Sequence, residues 1–391
     1  MSIRKLLAMM MVSTLTLAWS SIVNAQDKLR IGVIASLSGP PAVIGQQLRN
    51  GFLLGVQTAG GKLGGLETEV IVVDDELKPD LAVTKIRGLL DRDQVHFVVG
   101  PVFSNVLQAI HKPVTDSNAF LISPNAGTSS YAGKQCHPNF FVTSYQNDQM
   151  FGVLGKYAQD KGLKRMFLMA PNYQAGKDAL AGFKQQFKGE VVDEVYTQLG
   201  QLDFSAELTK IAVAKPDGFF TFMPGGMGVN LVKQYRQAGL DKIPFMSAFT
   251  TDETTLPAQQ DAALGFVAGA NWAPDMNNPQ TKAFTSAYEA AYNSVPGTYA
   301  MQSYDAAMLI DSAIKAVGGK LADHDGLRAA MRKANFTSLR GNFKFGSNHY
   351  PVQDFYLVKV AKRPDGKYQT EISERVFKDS VDSYAAECAM K

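Results

Sequence analysis

Histidine and cysteine are scarce in this chain: five His and two Cys in 391 residues. His96, His111, His137, His324 and His349 fall in different segments, and neither they nor the cysteines show metal-ligand spacing, so a metal centre is disfavoured. Catalytic signatures are missing too. There is no G-x-S-x-G elbow, Walker loop, H-E-x-x-H or clustered carboxylate pair. The best acidic cluster, Asp74-Asp75-Glu76, reads more readily as a strand-end turn capping the next helix than as a general base or cation site. Gly225-Gly226-x-Gly228 is a weak phosphate signal that a tight turn explains as well. Charge of one sign is not in excess, with 39 Lys+Arg against 36 Asp+Glu, and no basic cluster offers a nucleic acid a footing. Past the amino terminus no apolar run reaches the roughly 20 residues of a membrane span. Enzyme, metalloprotein and nucleic-acid binder all become minority readings, and no cofactor is implied.

What is present begins with Arg4 and Lys5, an apolar run from Leu6 to Trp19, and Val23-Asn24-Ala25 ahead of Gln26. This is the layout of an export signal spanning 1–25 and cleaved after Ala25. Its removal takes two positive charges, so the formal net charge falls from +3 to +1. No Cys follows the cleavage point to carry a lipid, and the expected address is the periplasm. In that oxidising compartment Cys136 and Cys388 could pair, tying the carboxy-terminal tail to a loop in the first half; metal binding by them is the weaker alternative. Pairing demands a Cα separation that spacing along the chain does not supply.

The mature length, 391 − 25 = 366 residues, is more than a single core usually serves, which points to two lobes. Strand and helix patterns alternate from the start. KLRIGVIA, TEVIVVDD, VHFVVG and AFLIS read as strands; Gly45 to Thr58, Pro79 to Asp91 and Asn105 to Ser117 read as helices. Val/Ile-rich runs separated by helices are the pattern of a parallel sheet covered on both faces, so a first α/β lobe is expected to about Thr143. The series restarts with a helix at Asn147 to Lys161. Strands RMFLMA, EVVDEVY, DGFFTFM and IPFMSA follow, with helices between them. Helices at Pro279 to Tyr292, Ser303 to Val317 and Gly326 to Ala334 come next. FYLVKVAKRPDGKYQTEI closes the chain as a hairpin turned by Pro364-Asp365-Gly366.

One stretch, Val98 to Tyr131, concentrates the chemistry. A strand ends in Gly100-Pro101, Ser104-Asn105 opens a helix, and a second strand ends in Ser123-Pro124-Asn125-Ala126-Gly127. The first turn of a helix has N–H groups without partners and a partial positive charge, and so attracts an anion such as a carboxylate. The plainer reading makes Ser104 an N-cap and SPNAG a turn. Ligands of two-lobed α/β folds bind where strand ends face a crevice. The strand ends here carry Ser, Thr, Asn, Gly and aromatics rather than charges.

RIGVIASLSGPPAVIGQQLRNG, VVDDELKPDLAV, VGPVFSN, LISPNAG, DFSAELTKIAVAKPDGFF, LVKQYRQAGL and YDAAMLIDSAI, in that order and spacing, resemble the branched-chain amino-acid (leucine/isoleucine/valine) binding proteins of ABC importers. The resemblance covers nearly the whole mature chain. It implies a type I periplasmic binding fold, two Rossmann-like lobes with parallel central sheets joined by three crossovers, closing on a small ligand by hinge motion. Residues 26–144 with 272–345 would form one lobe, and 145–271 with 346–391 the other. It also implies a membrane permease as partner. A receptor that docks with both lobes is expected to be a monomer.

Carried over by position, the carboxylate site falls on Ser104 with Phe103 beside it, and on Asn125, Ala126 and Gly127 of the SPNAG turn. The family often has a hydroxyl residue where Gly127 stands, which assigns that role to Thr128. Ile44 falls where family members place an aromatic that covers the ligand. In the second lobe the acidic residue that accepts an amino acid's ammonium is replaced by Phe249. An aromatic hydroxyl is replaced by Ala175, with Tyr173 two residues earlier. A buried ammonium without a partner costs several kcal/mol. The expected ligand is therefore an aromatic or apolar carboxylic acid, facing a wall of Phe249, Trp272, Phe222, Met223 and Tyr173, about half of which should be core. The alternatives are a branched-chain amino-acid receptor, a sensor of the same fold feeding a regulator, and a secreted α/β enzyme.

Overall fold

The computed structural model describes residues 28–341 and 343–390; the export signal expected over 1–25 lies outside them. Two α/β layers account for the chain. The first carries β1 (Leu29–Ala35), α1 (Ala42–Thr58), β2 (Thr68–Asp74), α2 (Pro79–Arg87), β3 (Phe97–Val99), α3 (Ser104–Thr115), β4 (Phe120–Ser123) and β5 (Phe140–Val142). Its five strands are all parallel, in the order β2-β1-β3-β4-β5. Every residue of β3 and β4 is buried while the edge strand β2 is half-buried throughout, as expected of a sheet covered on both faces. β5 did not stand out in the sequence because three residues, Phe-Phe-Val, are too few to show a period.

The second layer carries α4 (Asn147–Asp160), β6 (Arg165–Pro171), α5 (Gln174–Gln186), β7 (Glu190–Thr197), α6 (Ser205–Ala214), β8 (Gly218–Thr221), α7 (Gly226–Gln237), β9 (Phe245–Ser247), α8 (Leu256–Gln259) and β10 (Val267–Ala270). After α9 (Pro279–Tyr292), α10 (Thr298–Ala316) and α11 (His324–Lys333) the chain returns as β11 (Lys344–Phe345), β12 (Pro351–Lys362) and β13 (Tyr368–Ser380). The eight-stranded sheet runs β11-β12-β10-β9-β8-β6-β7. β12 lies antiparallel between β10 and β13. The final pair is the hairpin expected from Pro364-Asp365-Gly366.

Helix starts follow local chemistry. The Asn278 side chain accepts from Thr281 N–H ahead of Pro279 at the first helical turn of α9, and the Gln149 side chain accepts from Gln146 N–H at the start of α4. Asp74 and Asp75 accept N–H bonds from Leu37, Glu76 and Leu77. They thus hold the strand-end turn, while the cap position of α2 is Lys78, without a side-chain bond.

Three segments pass between the layers: β5 to α4, β10 to α9, and α11 to β12. One buried ion pair gathers them. The Arg340 guanidinium, 4% exposed, lies 3.0 Å from Asp305 of α10, which is fully buried. The same guanidinium donates to the Thr143 and Ser144 carbonyls of the first crossing and to Gln353 Oε1 at the start of β12. Asn271 of the second crossing donates to Ser144 O and accepts from Gln302.

A disulfide joins Cys136 to Cys388, with Cα atoms 5.7 Å apart and a sequence separation of 252. The last ten described residues are thereby tied to the first layer, whereas 346–391 as a whole was expected with the second lobe. Asn348, which donates to Ala132 O and to Asp382, fastens the same corner.

Replacing Arg340 with Leu strands the Asp305 charge, and equilibrium unfolding should show a loss of about 3 to 5 kcal/mol. Cys388→Ser should cost about 2 to 4 kcal/mol through the freer unfolded chain, read as a lower midpoint that added reductant reproduces in the wild-type protein.

Candidate functional site

The end of β3 is turned sharply by Gly100, whose φ of +131° is open to glycine and whose added Cβ would lie 2.1 Å from the Ile34 carbonyl oxygen. The turn delivers Phe103 as the cap residue of α3, with no side-chain cap bond. Ser104 is therefore the first helical residue rather than the N-cap, and the N–H groups of the first turn lack a side-chain acceptor. Ser104 is 1% exposed, and its Oγ lies 3.4 Å from the Asn147 amide nitrogen.

Ser104 opens onto a slot between the two layers. Ile44, Val102, Phe103, Asn125 and Ala126 line it from the first; Tyr173, Ala175, Phe222, Pro224 and Phe249 line it from the second. Tyr145 and Asn147 close it along the first crossing, Phe151 from α4 and Tyr299 from the start of α10. The lining contains no charged side chain. Its water-accessible volume is about 20 Å³, room for one or two waters, so a larger ligand enters only when the lobes part.

Aromatic rings form most of the wall. Phe249 stacks on Tyr145 at 5.3 Å and tilts against Tyr299 at 5.5 Å. Tyr173 stacks on Phe222 at 6.2 Å and meets Phe103 at 6.1 Å. Phe249 reaches this place with a φ of +58°, a left-handed conformation that costs a side-chain-bearing residue about 1 to 2 kcal/mol. Burial keeps the Tyr173 and Tyr299 phenols protonated, and no hydrogen bond to a neighbour lowers them. Both are therefore neutral polar groups. The Asn125 amide is already engaged, donating to Val102 O and accepting from the Tyr145 hydroxyl.

Three expected residues stand elsewhere. Gly127 packs on the first crossing: its N–H donates to Asn147 Oδ1, and an added Cβ would lie 1.7 Å from the Tyr145 carbonyl oxygen, which explains why no hydroxyl residue fits there. Thr128 is buried outside the slot, its hydroxyl accepting from Ser130 N–H and its carbonyl from Tyr350. Trp272 sits in a separate core with α9, because its indole N–H finds its acceptor at Thr281 Oγ1, 2.9 Å away. Met223, also considered for the wall, belongs to the core of the second sheet. Tyr145, Asn147, Phe151 and Tyr299 escaped notice in the sequence, since they lie on the crossing and in helices rather than at strand ends. A larger hollow of about 750 Å³ lies between α1, α9 and α10, away from every strand end.

The rims of the slot are bonded across the lobes. Asp178 of α5 accepts from Ser129 N–H and Oγ–H and from the Asn147 and Gln174 amides. Gly226 N–H donates to the Pro40 carbonyl. Behind Asn147, Asp148 accepts from Gln146, Gln185 and the Tyr384 hydroxyl.

A closed cleft between two α/β lobes, lined from both and reached by strand ends, defines a solute-binding protein. The periplasmic binding protein family matches residues 28–367, and the chain belongs to it. An ABC transporter solute-binding protein of R. palustris, solved with benzoate, is 34% identical over 93% of this chain and 100% of its own, with a TM-score of 0.88. One from Rhodopseudomonas palustris BisB5, in complex with 3,4-dihydroxybenzoic acid, is 31% identical over 90% of this chain and 98% of its own, at a TM-score of 0.84. The Leu/Ile/Val-binding protein homolog 6 of Brucella melitensis is 28% identical over 88% of this chain and 90% of its own. The expected family and its two-lobed type I fold are thus shown.

Burial, with Asp178 nearby, raises the Asp148 carboxyl to about 6. A carboxyl with a raised folded-state pKa contributes stability at low pH that is lost as pH rises through that value. The unfolding free energy of wild type minus that of Asp148→Asn should therefore fall by on the order of 2 to 3 kcal/mol between pH 4 and pH 7, measured by denaturant titration. A flat difference would mean Asp148 titrates normally.

Proposed function

We propose that this chain is a periplasmic receptor that delivers an aromatic or apolar carboxylic acid to an ABC importer. The observation that carries the ligand class is a slot walled by aromatic rings, without a charged side chain, facing the uncapped first turn of α3. The Ser104 hydroxyl and the free N–H groups there suit a carboxylate. The rings offer stacking worth about 0.5 to 1.5 kcal/mol beyond burial. An α-amino acid would bring an ammonium with no acidic partner in the slot, a cost of several kcal/mol. The benzoate and dihydroxybenzoate complexes of similar proteins support the same reading; the name of the Brucella melitensis relative is what keeps leucine in the test.

On this reading 26–144 with 272–345 and 145–271 with 346–391 are the two lobes, apart from the tail fastened through Cys388. They hinge on the three crossings, and Asp178 and Gly226 hold the loaded state shut. The protein acts as a monomer that presents both lobes to a membrane permease after export through 1–25. No described helix is long and apolar enough to cross a membrane.

Calorimetry on refolded, ligand-free protein should give benzoate binding well above leucine. Tight leucine binding with silence toward benzoate would sink the ligand assignment. Ser104→Ala should weaken benzoate by about 1 to 3 kcal/mol; an unchanged affinity would place the anion elsewhere.

A further inference from the structure

Behind Phe249 lies a second, smaller cavity that shares no other residue with the slot. Asp252, Glu253, Thr298 and Thr370 line it together with Trp272 and the backbone of β10. Its water-accessible volume is about 10 Å³, the lower limit for a single water-sized group. Most of its polar atoms are engaged. Asp252 Oδ1 accepts from Thr254 N–H and Oγ–H, Glu253 Oε1 accepts from Thr370 N–H and Oγ–H, and the Trp272 indole donates to Thr281. Two are not: Asp252 Oδ2 and Thr298 Oγ are buried without a hydrogen-bond partner, in residues 7% and 6% exposed. A buried carboxylate oxygen left unpaired is costly, so each such atom calls for an occupant.

The cavity stands in register with the slot. Phe249 forms a wall of both. Thr298 is the chain neighbour of Tyr299, a slot residue, and Asp252 follows Phe249 by three positions. Ser104 and the first turn of α3 lie on the facing lobe. A carboxylate held at Ser104 thus directs the opposite end of a flat ring toward the Phe249 wall.

We propose, resting on the aromatic-acid reading, that the Asp252–Thr298 cavity is a subsite for a single hydrogen-bond-donating group, a hydroxyl or an amino, on the ring position opposite the carboxylate. The group donates a hydrogen bond to Asp252 Oδ2, and Thr298 Oγ–H donates to its oxygen or nitrogen. An unsubstituted ring leaves both atoms unpaired, and a methyl group fills the volume without satisfying either. The ligand preferred by this chain is therefore a 4-hydroxy or 4-amino aromatic acid rather than benzoate itself.

Calorimetric titration of wild type with benzoate, 4-methylbenzoate, 4-hydroxybenzoate and 4-aminobenzoate tests this. The two donor-bearing acids should bind about ten- to a hundredfold more tightly than benzoate, and 4-methylbenzoate should bind no better than benzoate. Asp252→Asn should remove most of the 4-hydroxybenzoate advantage and leave benzoate unchanged. Thr298→Val, close in shape, should remove part of it, and the retained benzoate affinity reports that each variant is folded. Equal affinities for benzoate and 4-hydroxybenzoate in wild type would overturn the subsite while leaving the aromatic-acid reading intact, with an internal water as the occupant. Loss of benzoate and 4-hydroxybenzoate binding in equal proportion in both variants would also overturn it. Failure of all four acids to bind would overturn the aromatic-acid reading and the subsite with it.

Discussion

The buried pair Arg340–Asp305 is the constraint on which the rest depends. Two lobes can close on a ligand only if the segments between them hold a common axis while bending. Here one guanidinium reaches a carboxylate of α10, two carbonyls of the first crossing and the side chain that opens β12. Taking these charges out of water is expensive, and an apolar replacement of both could be as stable. What an apolar cluster would lack is direction. Five planar donors fix where each segment lies relative to the others, which is what a hinge between rigid bodies needs.

From that junction the site follows. The first crossing, 143–147, leaves the Arg340 cluster and at once supplies Tyr145 and Asn147 to the slot. Asn147 bridges Gly127 on one lobe and Asp178 on the other, so ligand side and rim are coupled through one amide. The aromatic wall is assembled from elements far apart in sequence: Phe103 before α3, Tyr173 before α5, Phe222 after β8, Phe249 after β9 and Tyr299 at the start of α10. Such a wall carries no charge. It leaves polar recognition to a few atoms at the ends of the slot, and the left-handed backbone at Phe249 is strain accepted to aim one ring.

Much of the fold was legible in the residues. Buried parallel strands announce themselves as Val/Ile-rich runs, and the restart of the βα series near Asn147 marked the second lobe. The candidate site was legible where it sits at strand ends: Ile44, Phe103, Ser104, Asn125, Ala126, Tyr173, Phe222 and Phe249 all line the slot. It was not legible on the crossing or on α10, since a tyrosine in a connecting segment looks like any other surface aromatic until the chain folds back. Trp272 misled for the converse reason: a polar neighbourhood in sequence, WAPDMNNP, does not show that the indole turns away to a threonine nine residues on.

The sequence by itself determined the α/β class, the two-lobed plan and the family. These are properties of local pattern and residue type, carried by each segment wherever it lies. The tertiary structure alone decided which aromatics line the slot, that Ser104 lies inside the helix rather than capping it, that Cys136 meets Cys388, and that Asp252 keeps one oxygen unpaired behind Phe249. Those depend on contacts between residues tens to hundreds of positions apart, and distance in space between such residues is not encoded in the spacing of either one.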